Sequence, residues 1–167
     1  LVNQAGALPR LLAERGTSGT QWNRRRHDDL PAAPWPPAGP FDCALVRLAK
    51  AKDEQEMTAH AVLSVLDPGG RLILYGGNDE GIRSAATMLE TLCGAVKTLA
   101  ARGHGRVVAA LPPADTSALR SSLAAWRIMT PLQIAGITRN WVSYPGVFAA
   151  GRVDEGTALL FSALPTI

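Results

Sequence analysis

Apolar and polar positions follow two rhythms along this chain, and the changes of rhythm mark its elements. The run FDCALVRLA (Phe41 to Ala49) is apolar at almost every position and of strand length, interrupted by Arg47 near its end. That is the pattern of a strand covered on both faces, as in a parallel sheet. The stretch DEQEMTAHAVLSVLDPGG puts Met57, Ala61, Val62, Val65 and Leu66 on one helical face, with acidic residues in the first turn and a Pro-Gly-Gly stop. RLILYGG (Arg71 to Gly77) is a second buried strand. The helix after it carries Ile82, Ala85, Ala86, Leu89, Leu92 and Cys93 at spacings of three and four, and ends at Gly94. AVKTLAA and RVVAAL, joined by RGHG, predict an antiparallel hairpin at a sheet edge.

The flanks read less regularly. LVNQAGALPRLLAERG predicts the end of a strand, a turn holding Gly6, and a helix with Leu8, Leu11 and Leu12 that closes at Gly16. From Thr17 to Pro40 the prolines of LPAAPWPPAGP exclude a helix or a central strand, leaving loop with one short edge strand near Trp22. Beyond Pro112 and Pro113, DTSALRSSLAAW predicts a helix and ITRNWVS a strand. The segment YPGVFAAGRVDEGTALLFSALPTI then reads as a loop leading into an apolar helix. Strand, helix, strand, helix and hairpin together predict an α/β fold: a mostly parallel sheet with a closing antiparallel hairpin and helices on both faces.

Composition narrows the function classes. The chain has 167 residues, 47% hydrophobic and 19% charged, a globular balance with room for one domain and part of a second. No stretch approaches the ~20 apolar residues that span a bilayer, and a cytoplasmic protein without a membrane partner is expected. Cys43 and Cys93 lie in apolar contexts where buried free thiols are the ordinary outcome. His27, His60 and His104 are scattered, so no metal site is expected. The net charge of +3 permits contact with nucleic acid without requiring it.

Ligands of open α/β sheets bind beyond the carboxyl ends of the strands, which singles out the loops NQAGAL, AKAKDE and GGNDEG. NQAGAL has one glycine, Gly6, and lacks the G-x-G of a dinucleotide or adenosyl site, so a plain strand-to-helix turn is the simpler reading. In GGNDEG, with Gly76, Gly77, Asn78 and Gly81, a tight turn with a helix cap by Asn78 or Asp79 competes with a ligand contact. Lys50 and Lys52 suit an anion or a solvated helix start. Arg24, Arg25 and Arg26, beside Trp22 and His27, combine charge and aromatic surface as RNA contacts do, and equally suit ordinary surface. No nucleophile motif or spaced carboxylate pair occurs, so no catalytic residue is predicted.

FDCALVRLAKAKDEQEMTAHAVLSVLDPGGRLILYGGNDEGIRSAATMLE, followed at a distance by YPGVFAAGRVDEGTALLFSAL, resembles the amino-terminal half of the bacterial small-subunit ribosomal RNA guanine-N2 methyltransferases. The most specific parts are GGRLILYGGNDEGIRS and PGVF with GRVDEGTALL behind it. The likeness runs from about Phe41 to Ile167, with a fainter match of LVNQAGALPRLLAERG to the first strand and helix. It implies a tandem duplication of a Rossmann-like, S-adenosylmethionine-dependent methyltransferase fold. In such a protein the first copy is degenerate and binds no cofactor, while the second holds the cofactor loop and an Asn-Pro-Pro motif.

By that pattern, residues 1–143 are the degenerate copy. Residues 144–167 are the linker and first helix of a catalytic domain whose cofactor loop would begin shortly after Ile167. Pro145, Gly146, Val147 and Phe148 then stand for part of a cofactor pocket. Arg24, Arg25, Arg26, Lys50 and Lys52 are the candidate RNA contacts. The expected partners are small-subunit ribosomal RNA, the chain's own carboxyl-terminal catalytic domain and a second copy. The cofactor, S-adenosylmethionine, belongs to the parent enzyme and not to this stretch. Leu159, Leu160, Phe161 and Leu164 are expected to fold back, to pair with another copy, or to be poorly ordered. Two other readings remain open: a free-standing enzyme with a divergent nucleotide site in NQAGAL and GGNDEG, and a protein-interaction module.

Overall fold

A computed structural model describes residues 1–3, 7–26, 30–134 and 137–163. The chain divides into two compact units, Leu1–Ser122 and Leu123–Ile167. The first holds α1 (Ala7–Glu14), β1 (Phe41–Arg47), α2 (Lys52–Leu63), β2 (Leu66–Gly77), α3 (Ile82–Cys93), β3 (Lys97–Arg102) and β4 (Gly105–Ala110). The second holds β5 (Ile128–Ile134), β6 (Ile137–Ser143) and α4 (Glu155–Ala163), with short 3-10 turns at Leu123–Trp126 and Phe148–Gly151.

The main sheet runs β1-β2-β4-β3. β1 and β2 are parallel, while β4 is antiparallel to both of its neighbours. The expected mostly parallel sheet is therefore corrected to a mixed one, with more antiparallel than parallel pairing. The reason lies in the RGHG turn: β3 reverses tightly into β4, and β4 inserts between β2 and β3, so both of its ladders run antiparallel. On the other side of β1, Val2 forms parallel bridges to Val46 and to Trp22. Its N–H donates to the Leu45 carbonyl at 2.8 Å and its carbonyl accepts the Arg47 N–H at 3.1 Å. These bridges are the strand end and the edge position near Trp22 that the sequence predicts.

Ladder partners share a face, so Ala44, Val46, Leu72, Leu74 and Val108 lie on one side of the sheet. They form the core with Ala61, Val62 and Leu63 of α2 and Ile82, Ala85 and Leu89 of α3, all buried. α3 shows the predicted single apolar stripe. α2 does not: besides its apolar face it buries Glu54, Gln55, Thr58 and His60. Three of these polar groups are satisfied in place, as burial requires. Gln55 Nε2 donates to the Ala49 carbonyl at 2.7 Å, His60 Nδ1 accepts the Arg120 N–H at 3.1 Å, and Glu54 binds two arginines.

Two further expectations change, and one strand forms that the sequence pattern does not predict. DTSALRSSLAAW is not one helix. Asp115 Oδ1 accepts the Ser117 N–H at 2.8 Å, Leu119 N–H closes a turn on Thr116, and Arg120 N–H goes to His60. Backbone donors captured in this way are lost to a helical ladder, and only the turn Leu123–Trp126 remains helical. IMTPLQI forms β5 although Pro131 lies within it. In a two-stranded sheet every strand is an edge, where a missing N–H is tolerated. Cys43 is exposed and Cys93 half-buried, not both buried. Cys43 pairs with Arg71 at the irregular start of β1, next in the strand to Ala44 and so on the opposite face from the core.

Candidate functional site

At the carboxyl ends of β1 and β2 the sequence places Arg47 after a run of apolar residues and a glycine pair at the end of the next strand. Gly76 is needed for close approach: a Cβ there would stand 2.8 Å from Leu48 Cβ. The loop then turns through Asn78 to Gly81 into α3. Glu80 folds back over it, taking the Gly77 N–H at 2.6 Å with Oε2 and the Arg47 guanidinium with Oε1. Arg47 also lies 5.8 Å from the centre of the Tyr75 ring. The Asn78 N–H donates to the His104 carbonyl at 2.7 Å, tying the loop to the β3–β4 turn.

This arrangement is electrostatically closed. The Glu80 carboxyl is pushed down to about 2, chiefly by the hydrogen bond from Arg47 and next by the Gly77 N–H, with Lys50 adding a smaller favourable charge. A carboxylate held by two donors stays ionised and keeps those donors engaged. The turn reading of GGNDEG is thus realised by Glu80, not through a cap by Asn78 or Asp79: α3 starts from Gly81 with no side-chain cap. Arg47 and Glu80 carry the geometry here, and neither stood out in the sequence. The available signal was an arginine ending an apolar strand, and a carboxylate three residues beyond the last glycine of the next.

The candidate cations gather around α2. Arg24 and Arg25 reach Glu54 in its first turn at 3.3 and 3.1 Å. Arg24 is 10% exposed at its side chain, Glu54 5% and Arg25 62%. Burial pulls the Arg24 guanidinium down from its ordinary range, against the opposing pull of Glu54. Arg26, Lys50 and Lys52 are exposed, and Lys52 opens the same helix. His27 and the central residues of NQAGAL, including Gly6, lie outside the described residues, as does Leu164. A recess of about 770 Å³ lies toward the amino end of β1, lined by Leu12, Trp22, Pro37, Phe41, Cys43 and Val65 among others. Its lining in β1, Phe41 to Leu45, leaves out the carboxyl strand ends where ligands of such sheets bind.

In the second unit, Tyr144 to Val147 make a tight turn closed by the Val147 N–H on the Tyr144 carbonyl at 3.1 Å. Gly146 has φ 79°, the left-handed conformation that the third residue of a Pro-Gly type II turn requires. Pro145 is buried, while Val147 is 49% and Phe148 83% exposed. α4 begins under Asp154, whose carboxylate accepts the Thr157 N–H at 3.1 Å and the Thr157 hydroxyl at 2.7 Å. Its Leu159 and Leu160 are 70% and 58% exposed. Among the described residues no group of three metal-ligating side chains occurs, and no helix is long and apolar enough to cross a membrane.

Comparison with known proteins adds a lineage to this geometry. The family described as "Methyltransferase small domain N-terminal" matches residues 20–108, more than half of the chain. The ribosomal RNA small subunit methyltransferase C of Pseudoalteromonas atlantica is 32% identical over 127 residues, covering 76% of this chain and 36% of that protein. The protein of the same name from Alcanivorax borkumensis is 35% identical over 133 residues, covering 79% and 38%. The chain thus spans little more than a third of these relatives' length. A solved structure of a T. thermophilus 16S rRNA methyltransferase in complex with AdoMet and guanosine has a similar fold. It gives a TM-score of 0.64 and 24% identity, and covers 96% of this chain and 40% of that one.

Proposed function

Because the chain belongs to the methyltransferase small domain N-terminal family, we propose that it is the non-catalytic amino-terminal part of an S-adenosylmethionine-dependent ribosomal RNA (guanine-N2) methyltransferase. In this reading residues 1–143 are a degenerate, Rossmann-like methyltransferase copy. Residues 144–167 lead into a catalytic domain, to which Pro145, Gly146, Val147 and Phe148 contribute part of a cofactor pocket. The domain supports the catalytic copy and helps to position small-subunit ribosomal RNA. Arg26, Lys50 and Lys52, with the exposed Arg25, are the contacts available around α2.

The observation that carries the non-catalytic role is the Arg47–Glu80–Gly77 closure. A ligand at the ends of β1 and β2 would draw on backbone donors of the strand-end loop. Here the Gly77 N–H is engaged by Glu80, and Glu80 is itself held by Arg47. The exposed Phe148, Leu159 and Leu160 supply the apolar surface against which a catalytic domain would pack.

Calorimetric titration of this chain with S-adenosylmethionine tests the reading. No saturable heat is expected from the chain alone. A chimera joining it to the remaining length of a relative should transfer methyl groups to small-subunit ribosomal RNA. Micromolar binding by the isolated chain would overturn the reading in favour of a free-standing enzyme.

A further inference from the structure

The β3–β4 hairpin, the closing edge of the sheet, carries an uncompensated set of cations. Between Glu90 and Asp115 the chain has no carboxylate, while Lys97, Arg102 and Arg106 all fall there. β3 is the outermost strand of the sheet, and each of its six residues is exposed. None of the three cations takes part in an ion pair with a described carboxylate; those pairs belong to Arg10, Arg24, Arg25 and Arg47.

Backbone geometry aligns the charges. Residues five apart on a regular strand point to opposite faces, so Lys97 and Arg102 should diverge. The register shift between Thr98 and Ala100 adds one residue to β3 and cancels that divergence. Lys97 pairs with Ala109 and Arg102 with Gly105, two β4 positions on the same face. The two cations therefore share a face, roughly 15 Å apart along the strand. Arg106 pairs with Ala101 on the other face, where its guanidinium contacts Thr98 Oγ1 at 3.4 Å. A chain laid along this edge meets positive charge from both sides. By contrast, the Arg24 and Arg25 charges are partly neutralised by Glu54.

We propose that the β3–β4 edge is a phosphate-contacting surface for RNA, with Lys97 and Arg102 on one face and Arg106 on the other as its contacts. The proposal rests on the RNA-positioning role given above and assigns it a place. Phosphate contacts by lysine and arginine carry little sequence information but fix register, which suits a supporting domain. Charges near an edge strand also discourage strand pairing between proteins, which favours a nucleic-acid partner over an added β-strand.

Binding of this chain to deproteinised small-subunit ribosomal RNA, measured by fluorescence anisotropy between 50 and 200 mM salt, is the test. Each lost phosphate contact lowers the salt slope by about one. Lys97→Gln with Arg102→Gln should lower it by about two, and adding Arg106→Gln by about three, with at least roughly tenfold weaker binding at 50 mM salt. Lys97→Arg with Arg102→Lys should keep the wild-type slope, and unchanged melting temperatures would exclude misfolding. Suppose the slope survives the triple substitution but is lost when Arg26, Lys50 and Lys52 become glutamine. The edge assignment then fails while the RNA-positioning role stands. Absence of salt-dependent binding in the wild type would overturn both. Competition by polyglutamate equal to that by RNA at matched charge would overturn the edge as an RNA surface, marking it as a site for acidic proteins.

Discussion

Arg47, the last residue of β1, is ion-paired with Glu80, which also accepts the Gly77 N–H, so one carboxylate fastens two strand ends. Its pKa is about 2 in the folded chain against an ordinary value of 4.5. A depressed carboxylate contributes stability that is fully present above about pH 4.5 and is lost as pH falls toward 2. Glu80→Gln should flatten that acid loss in denaturant titrations at pH 3 and pH 7. At neutral pH the cost should be modest, about 1 kcal/mol, because the two side chains remain 35% and 33% exposed.

Arg24 and Glu54 form the costlier pair to break. With side chains 10% and 5% exposed, removing either leaves a charge in a poorly solvated place. Glu54→Ala should destabilise the chain by about 3–5 kcal/mol. Arg25→Ala, at a side chain 62% exposed, should cost no more than about 1 kcal/mol. Urea unfolding of the two variants side by side checks the contrast. Equal losses would mean that the pair is not buried as the structure has it.

What could be read from the sequence divides by how local the deciding forces are. β1, α2, β2, α3 and the hairpin follow from hydrophobic period and turn residues, and the structure has each of them with three corrections: α2 stops at Leu63 short of Val65 and Leu66, β2 starts at Leu66 and takes in the Pro-Gly-Gly expected to end the helix, and burial in β1 and β2 alternates instead of covering both faces. The segment 115–126 failed because its helical period was outbid by a tertiary bond, Arg120 N–H to His60, sixty residues away in sequence. The mixed sheet was hidden in an insertion, β4 between β2 and β3, which alternation along the chain does not encode. At the site, the glycines of GGNDEG marked the loop correctly. Its closure depends on Arg47, thirty-three residues from Glu80, which read only as an interruption in a strand. The arginine triplet stood out for its charge, but the pairing of Arg24 and Arg25 with Glu54 is invisible until α2 and the preceding loop are brought together.

His60 should make stability pH-dependent near neutrality. Burial lowers its pKa below the ordinary 6.5, and Arg120 adds to the fall against the opposing charge of Glu56. The Arg120 N–H donates to Nδ1, so the neutral ring with that nitrogen unprotonated is the form that fits. A base whose folded pKa is depressed contributes stability that is present above pH 6.5 and is lost as pH falls through the lowered value. The melting temperature should therefore drop between pH 7 and pH 5.5. His60→Asn, whose side-chain oxygen can accept the same N–H, should abolish most of that drop. An unchanged pH profile in the variant would assign the drop to other groups.

Leu159 and Leu160 of α4 separate folding from partnership. At 70% and 58% exposure they contribute little burial within the described structure, and substitutions at such surface positions usually change stability by no more than about 0.5 kcal/mol. Leu159→Gln with Leu160→Gln should therefore leave the unfolding curve of this chain nearly unchanged. In a chimera with the catalytic part of a relative, the same pair should weaken the union of the two parts, since ~1.5–3 kcal/mol is associated with each fully buried leucine. Limited proteolysis at the junction, compared between the chain and the chimera, reads this out. Protection of α4 in the chimera that is lost on substitution supports packing of the helix against the catalytic part. Equal cleavage in both chimeras would remove α4 from that contact.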